Sequence, residues 1–245
     1  MSWRLLDSGP GEPAWNMALD EALLECHEGS PTLRLYAWRP AAISLGRFQE
    51  LASVAALPAE IPRVRRLTGG GAIYHREDEV TYSIVAPYAA FGGKVSPRVA
   101  YGLVHDAIAR GLTTLGVPLP PTPALPPLRG GRETAALCYD AATDYDLKAG
   151  AKKLVGSAQR RKGACFLQHG SIPVSPDPFS PGAVSLSELL RETPRSNDVK
   201  RAILDAIASA FAVRLEPGLP TDRELDEARR LARSRYASRS WTETG

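Results

Sequence analysis

The sequence has few of the residues that mark disulfide-bonded, metal-binding or membrane proteins. Its 245 residues include three cysteines and four histidines, and no CxxC or HExxH motif joins them. It has no run of about 18 apolar residues, the length that a membrane-spanning helix needs. The N-terminus lacks the apolar run of a signal peptide. We therefore expect no disulfide framework, no metal site and no membrane partner, in a cytoplasmic protein.

The sequence also lacks a strong charge of either sign. It contains 30 Lys and Arg against 27 Asp and Glu, a formal net charge of +3. This balance argues against a dedicated nucleic-acid-binding protein, which would be far more basic. A hydrophobic content of 44% excludes a disordered chain. We expect a single catalytic domain over residues 1–245, and a monomer.

The hydrophobic pattern predicts an α+β protein. The clearest helix covers residues 97–115, where apolar residues recur with the helical period and Gly116 and Pro118 follow. A helix is predicted to open at Pro13, and two more close the chain, the last with a Thr221-x-x-Glu224 capping box. Strands are predicted over residues 3–6, 32–36, 42–45, 80–85, 144–148, 153–155 and 164–174. Without regular βαβ alternation, this order favours a mixed, mostly antiparallel sheet with flanking helices.

The six prolines of residues 117–128 predict an extended surface loop. We do not place a domain boundary there, because the helix before it would belong to no complete domain.

A glycine-rich stretch is the first candidate binding segment. Arg65 and Arg66 precede three consecutive glycines, Gly69 to Gly71, and His75 follows. Glycines without Cβ atoms let a ligand approach backbone N–H groups, and arginines can hold a phosphate or carboxylate. A plain hairpin turn is the alternative, but the flanking arginines and histidine favour a binding loop. No GK[ST] follows, so it is not a P-loop.

Two segments contain candidate catalytic side chains. Lys153 is predicted on a strand just before a small-residue turn at Gly156 and Ser157, where it could reach a pocket. A surface lysine pair in a hairpin is the alternative. Cys138 could be a buried small hydrophobe, as free cysteines usually are. It becomes a nucleophile if a nearby cation favours its thiolate.

The remaining candidates are Cys165, His169 and two basic clusters. Cys165 lies in an apolar run and is predicted to pack in the core, whereas His169 either lines a pocket or satisfies a buried carbonyl. The basic clusters at residues 160–162 and 229–235 are predicted to be solvated faces, with docking of an acidic protein as the alternative. Nucleic acid is disfavoured because aromatic residues do not interleave with them.

Taken together, these segments resemble the lipoate–protein ligase/octanoyltransferase family over nearly the whole chain. The resemblance implies the α+β fold that this family shares with biotin protein ligases and class II aminoacyl-tRNA synthetases. The motifs that carry it, in chain order, are Asn16-Met17-Ala18-Leu19-Asp20-Glu21, Leu45-Gly46-Arg47-Phe48-Gln49, Arg65-Arg66-x-Thr68-Gly69-Gly70-Gly71-Ala72-x-x-His75, Lys152-Lys153-Leu154-Val155-Gly156-Ser157-Ala158-Gln159 and Leu167-Gln168-His169-Gly170-Ser171-Ile172.

The position of the cysteine separates the branches of this family. The classical octanoyltransferases place it downstream of the lysine, but no cysteine follows Cys165 here. The ligase-like octanoyltransferases place it before the lysine, and Cys138 precedes Lys153 by 15 positions. Tyr139 and Asp140 stand where that branch would have Phe and Glu. ATP-dependent ligases usually carry a further C-terminal domain, for which we expect no room in this chain.

The resemblance implies a ping-pong acyl transfer without ATP or another cofactor. Cys138 would take an octanoyl group from octanoyl-acyl carrier protein, and Lys153 would stabilise the thiolate and could later accept a proton. A lysine of a lipoyl-carrier protein, such as the glycine cleavage H protein, would receive the group. Substrate-binding roles are predicted for Arg66, Gly69, Gly70, Gly71, His75, Gly156, Ser157 and His169.

Three other activities stay open at this point. The first is an octanoyl amidotransferase that moves the group from H protein to other lipoyl domains. The second is an ATP-dependent lipoate ligase, and the third is a non-catalytic acyl- or lipoyl-binding protein.

Overall fold

The computed structural model describes residues 1–92, 95–119 and 146–244. The strands in these residues are β1 (Ser2–Gly11), β2 (Thr32–Trp38), β3 (Ala42–Leu45), β4 (Arg63–Arg65), β5 (Ile73–His75), β6 (Val80–Pro87), β7 (Leu147–Ala149), β8 (Lys152–Lys162), β9 (Cys165–Ile172) and β10 (Arg214–Pro217). The helices are α1 (Pro13–Glu25), α2 (Pro97–Thr114), α3 (Leu186–Leu189), α4 (Ser196–Phe211), α5 (Asp222–Leu231) and α6 (Arg239–Thr244). Short 3-10 turns cover Leu51–Val54 and Tyr88–Phe91, and a π-helical turn covers Ala232–Tyr236.

Two sheets form the centre of the fold. The larger has seven strands in the order β10-β1-β2-β6-β9-β8-β7, and the smaller has the order β4-β3-β5. In the large sheet β1 runs parallel to β2 and β10, while the other neighbours are antiparallel. The predicted mixed, mostly antiparallel sheet with flanking helices is therefore confirmed.

Helices cover both faces of the large sheet. On one face α2 and α4 pack on a core that includes Trp3, Ile84 and Phe166. They approach closely at Gly111, where an added Cβ would lie 2.6 Å from the carbonyl oxygen of Ala202. On the other face α1 and α5 pack over a second core cluster. Because neighbouring residues of a strand point to opposite faces, each central strand contributes to both layers.

The helix predicted over residues 97–115 is confirmed as α2. The hydroxyl oxygen of Ser96 accepts a hydrogen bond of 3.3 Å from the backbone N–H of Val99 at its start, and Gly116 follows its end with φ +92°. The capping box of Thr221 and Glu224 is present at the start of α5. Local sequence signals thus define these helix ends correctly.

The prediction for β8 was wrong in its length. The strand continues to Lys162, so Gly156 and Ser157 lie within it rather than in a turn. The reason is its partner, because β9 pairs with β8 from Ser171 opposite Gly156 to Cys165 opposite Lys162. These ladder hydrogen bonds outweigh the low strand propensity of glycine and serine.

Three predictions fall wholly or partly on residues that the structure does not describe. Cys138, residues 120–128 of the proline-rich segment and residues 144–145 of the strand predicted over 144–148 lie outside the described residues. Among the helices that are described, none has the length and apolar character needed to cross a membrane.

Candidate functional site

A cavity of about 510 Å³ lies between the glycine-rich loop and the strands β5, β6, β8 and β9. This volume falls within the range of about 300–1,000 Å³ typical of small-molecule sites. Apolar side chains, including Met17, Trp38 and Ile73, form part of its wall. All eight residues predicted to bind substrate line it: Arg66, Gly69, Gly70, Gly71, His75, Gly156, Ser157 and His169.

The glycine-rich loop connects β4 to β5 and forms one wall of the cavity. Gly70 adopts a φ of +94°, which residues with side chains rarely tolerate. A Cβ added at Gly46 would lie 1.8 Å from the carbonyl oxygen of Gly70, so the two backbones touch directly. The loop therefore needs glycine both for its conformation and for its packing.

The two arginines beside the loop bind backbone carbonyls. Arg66 donates to the carbonyl oxygens of Gly69 at 2.6 Å, Gly71 at 2.8 Å and Ser44 at 3.0 Å. These bonds hold the loop in place while the side chain lines the cavity.

Arg65 does not fulfil the expected anion-binding role. It is fully buried and donates to carbonyl oxygens of Gly46, Gln49, Trp241 and Thr242. It ties the C-terminal helix α6 to the segment after β3.

His169 is joined to a buried carboxylate on α1. Its Nδ1 lies 2.9 Å from Oδ2 of Asp20, and because a carboxylate only accepts, Nδ1 carries the proton. In the neutral ring, Nε2 then accepts from the hydroxyl of Thr68 at 2.7 Å. The prediction that His169 lines a pocket is confirmed, and its described hydrogen-bond partners are side chains rather than a buried carbonyl.

Asp20 is the centre of this network. It also accepts hydrogen bonds from Arg34 at 2.7 Å, Tyr36 at 2.9 Å and Ser83 at 2.8 Å. Burial acts to raise the pKa of Asp20, but the Arg34 charge and the bonds from His169 and Ser83 hold it below the ordinary value. The carboxylate is therefore charged at neutral pH.

His75 is fixed on three sides. Its ring stacks on Trp38 with centroids 4.0 Å apart. Its Nδ1 donates to Glu79 at 2.7 Å, and its Nε2 lies 2.8 Å from the Ser44 hydroxyl. Such a ring presents a defined edge to the cavity.

Lys153 is buried in the β7–β8 hairpin. Its side chain is 1% exposed, and its Nζ lies 2.9 Å from Oδ2 of Asp146. The neighbouring Lys152 is exposed. The alternative prediction of two surface lysines is therefore correct for Lys152 and wrong for Lys153. Because Cys138 lies outside the described residues, its pairing with Lys153 stays a prediction.

Ser157 meets two side chains that the sequence analysis did not single out. Its hydroxyl lies 2.6 Å from the Tyr82 hydroxyl and 2.7 Å from Nε2 of His105. A Cβ at Gly170 would come within 2.3 Å of the same oxygen. The sequence offered one clue to the role of His105, because it is a polar residue on the apolar face of α2, between Val104 and Ile108.

The other predicted features lie outside the cavity wall. Cys165 is half-buried and packs against the core cluster beneath α1. Arg160 and Arg161 are exposed, as expected of a solvated face. Within the described part of the chain, no group of three or more His, Cys, Asp or Glu side chains is arranged to hold a metal ion.

The chain is similar to known proteins over nearly its whole length. The chain is 40% identical to a protein of Moorella thermoacetica named Octanoyltransferase LipM, over 98% of this chain and 97% of that one. It is 31% identical to the Bacillus subtilis protein of the same name, over 98% and 97%.

Solved structures support the fold. A crystal structure of lipoate-protein ligase A bound with ATP superimposes with a TM-score of 0.79 at 21% identity, covering 100% of this chain and 99% of that one. The bi-partite lipoate protein ligase of Thermoplasma acidophilum gives 0.75 at 20% identity, covering 100% and 97%. Residues 12–208 match the model of the lipoyl protein ligase A/B catalytic domain. The chain therefore belongs to the family of the lipoyl protein ligase A/B catalytic domain.

Proposed function

We propose that this protein is an octanoyltransferase, which moves an octanoyl group from octanoyl-acyl carrier protein to a lysine of a lipoyl-carrier protein. The observation that carries the proposal is the buried ion pair of Lys153 and Asp146 on the hairpin that leads into the cavity wall. A buried ammonium is costly unless it is paired, and this pair lies at the start of the strand whose Gly156 and Ser157 line the cavity. Relatives named octanoyltransferases, at 31–40% identity over nearly the whole chain, support the same activity.

In the first half of the proposed reaction, the Cys138 thiolate attacks the thioester carbonyl of the donor. A bond forms between that carbonyl carbon and the cysteine sulfur, and the carrier's thiolate leaves. The Lys153 ammonium favours the cysteine thiolate over the thiol by its charge. The apolar cavity wall receives the alkyl chain, and the glycine-rich loop lets the acyl group lie close to the backbone.

In the second half, the amine of an acceptor lysine attacks the acyl-enzyme. A carbon–nitrogen bond forms, and the cysteine thiolate leaves. Exchange of one thioester for another is nearly thermoneutral, and conversion of a thioester to an amide is downhill. The proposed reaction therefore needs no ATP, and we propose that no cofactor takes part. The glycine cleavage H protein is the acceptor that we propose.

The test is the intact mass of the protein after mixing with octanoyl-acyl carrier protein in the absence of ATP. We expect one octanoyl adduct on the wild type, cleaved by hydroxylamine as a thioester is. Cys138→Ser should form no hydroxylamine-sensitive adduct, whereas Cys165→Ser, the matched control, should behave as wild type. Absence of an adduct on the wild type would contradict the proposal. Retained ATP-dependent use of free lipoate by Cys138→Ser would favour a ligase instead.

A further inference from the structure

A tight turn after β3 brings an aromatic ring to the edge of the cavity. The backbone N–H of Gln49 donates to the carbonyl oxygen of Gly46 at 3.1 Å, so Arg47 and Phe48 occupy the two central positions of the turn. Phe48 lines the cavity, yet it is 80% exposed. Its phenyl ring therefore lies at the cavity mouth, with most of its surface in contact with solvent.

The turn is held in place from behind. Arg65 donates to the carbonyl oxygens at both of its ends, Gly46 at 2.7 Å and Gln49 at 2.6 Å. The backbone N–H of Arg47 donates to the carbonyl oxygen of Thr68 at 2.7 Å. A surface that is fixed before a partner arrives loses little conformational freedom on binding. The outward position of the ring is therefore suited to recognition.

Arg47 adds a positive charge beside this ring. Its guanidinium carbon lies 5.5 Å from the centre of the Phe48 ring and 4.3 Å from the centre of the Trp241 ring. Among the described residues, no carboxylate lies within ion-pair distance of Arg47, and its Nη1 has no hydrogen-bond partner. Burial lowers the pKa of Arg65, and the charge of Arg47 lowers it further. A negatively charged partner would compensate these neighbouring cations.

Strand β8 forms another side of the cavity mouth. Ala158 and Gln159 line the cavity and remain partly exposed. The next residue, Arg160, is exposed. It lies on the same face of the strand as Ala158, roughly 7 Å further along, because residues two apart in a strand share a face. Positive charge therefore lies beside the mouth on two segments, and an acidic surface would complement it.

The donor of the proposed function matches this surface in its chemistry. Acyl carrier proteins are acidic, and they present the acyl group as a thioester at the end of a pantetheine arm. For that acyl group to enter the cavity, the carrier protein must sit over the cavity mouth. Aromatic and arginine side chains are among those that contribute most to binding at protein interfaces.

We propose that Phe48 and Arg47 form a docking surface for the acidic acyl carrier protein at the cavity mouth, an inference that rests on the proposed function. Phe48 supplies the apolar contact that the carrier covers on binding. Arg47 faces a carboxylate of the carrier and orients it on the turn. The surface thus selects the protein part of the donor, while the cavity holds the acyl group.

Two thioester donors separate docking from binding in the cavity. Octanoyl-acyl carrier protein makes contacts outside the cavity, whereas octanoyl-pantetheine carries the same acyl group without the protein. We would measure the KM and the maximal rate of acyl-enzyme formation with each donor by intact mass. Fluorescence anisotropy would give the Kd of the unacylated carrier protein, which requires no acyl transfer.

Two variants and two controls define the expected result. Arg47→Gln and Phe48→Ser should each raise the ratio of the carrier KM to the pantetheine KM about tenfold, and the carrier Kd by a similar factor. Arg47→Gln should also weaken the salt dependence of that Kd, whereas Phe48→Ser should not. Leu219→Ser and Arg214→Gln should match wild type, because Leu219 is 83% exposed and Arg214 is paired with Glu216, both outside the cavity wall.

Three results would overturn the proposal. An unchanged KM ratio and Kd in both variants would remove the docking surface. Equal increases in the KM for both donors would mean that the two residues shape the cavity instead. An increase confined to the KM for the lipoyl-carrier acceptor would assign the surface to that protein.

Failure of the proposed function would be seen separately. A wild-type protein that forms no acyl-enzyme with either donor would contradict the octanoyltransferase activity. The Kd values would then decide the docking surface alone: weaker carrier binding by both variants would support it, and a wild type that does not bind the carrier would overturn it.

Discussion

The imidazole of His169 on β9, which lines the cavity, and the buried carboxylate of Asp20 on α1 lie 2.9 Å apart. The other nitrogen of the same ring lies 2.7 Å from the hydroxyl of Thr68, which directly precedes the glycine-rich loop. One buried carboxylate thus connects the first helix, the central sheet and the binding loop. This connection holds in place the ring of His169, which lines the cavity.

Asp20→Asn should destabilise the protein strongly. The substitution leaves Arg34, which is fully buried, without its carboxylate. Removing one partner of a buried ion pair typically costs about 3–5 kcal/mol. Urea unfolding would measure the loss, with Asp7→Asn as the control, since Asp7 pairs with Lys200 at the surface. Equal stability of Asp20→Asn and Asp7→Asn would contradict the central role of Asp20.

The same carboxylate should make stability depend on acid pH. Its pKa in the folded protein lies below the ordinary value of 3.8. A depressed carboxyl pKa contributes stability that is complete above the unfolded value and is lost as the pH falls through the folded value. The free energy of unfolding of wild type should therefore fall more steeply than that of Asp20→Asn below about pH 4. Parallel curves for the two proteins would disprove this assignment.

Lys153→Met should slow formation of the acyl-enzyme about 100- to 1,000-fold, because the charge that stabilises the thiolate is removed. Lys152→Met is the matched control one residue away. Because the Lys152 side chain is exposed, this variant should form the acyl-enzyme at the wild-type rate. Lys153→Met also leaves Asp146 buried without its ammonium, so its melting temperature should be measured alongside. Lys153→Arg keeps a cation and should retain more activity. Rapid acylation of a folded Lys153→Met protein would remove this residue from the mechanism.

Gly46→Ala should disturb the glycine-rich loop. The new methyl group would need the space of the Gly70 carbonyl oxygen, 1.8 Å away, so the loop must move. Displacement of a positioning loop by about 1 Å can cost up to 100-fold in rate. We expect slower acylation with only modest loss of stability, and normal acylation by Glu50→Ala, an exposed neighbour. A Gly46→Ala protein as fast as wild type would mean that the loop does not position the acyl group.

An acidic carrier protein should be attracted by the exposed arginines of β8. Arg160 and Arg161 are exposed, whereas Arg229 lies 2.8 Å from Asp226 and Arg230 2.6 Å from Glu227. The KM for octanoyl-acyl carrier protein should rise with salt, because ions screen surface charges beyond about 8 Å at physiological strength. Arg160→Glu with Arg161→Glu should raise it further, and Arg229→Gln should not. A KM independent of salt would exclude electrostatic steering.

Much of the fold and the cavity wall could be predicted because their signals are local. The helical spacing of apolar residues in α2, and the Gly116 that follows the helix, can be recognised within a short stretch of sequence. The binding residues lie in short motifs whose residue types suit one chemistry. Their assembly into one cavity follows from the order of the strands that carry them.

What could not be predicted depends on partners distant in the sequence. Asp20 is bound by residues at positions 34, 36, 83 and 169, which only the folded sheet brings together. The charge of the two loop arginines is evident in the sequence, but some of their carbonyl acceptors, such as those of Ser44 and Thr242, lie on distant segments. His105 is one polar residue within an apolar helix face, and nothing nearby in the chain indicates Ser157.

Transfer of octanoate to an acceptor protein without ATP tests the account most directly. Wild-type protein, octanoyl-acyl carrier protein and a lipoyl-carrier protein would be mixed, and the acceptor's mass and modified residue determined. The account predicts one octanoyl group on an acceptor lysine, resistant to hydroxylamine as an amide is, and none with Cys138→Ser. Modification that appears only with ATP and a free acid, or proceeds unchanged in Cys138→Ser, would contradict it.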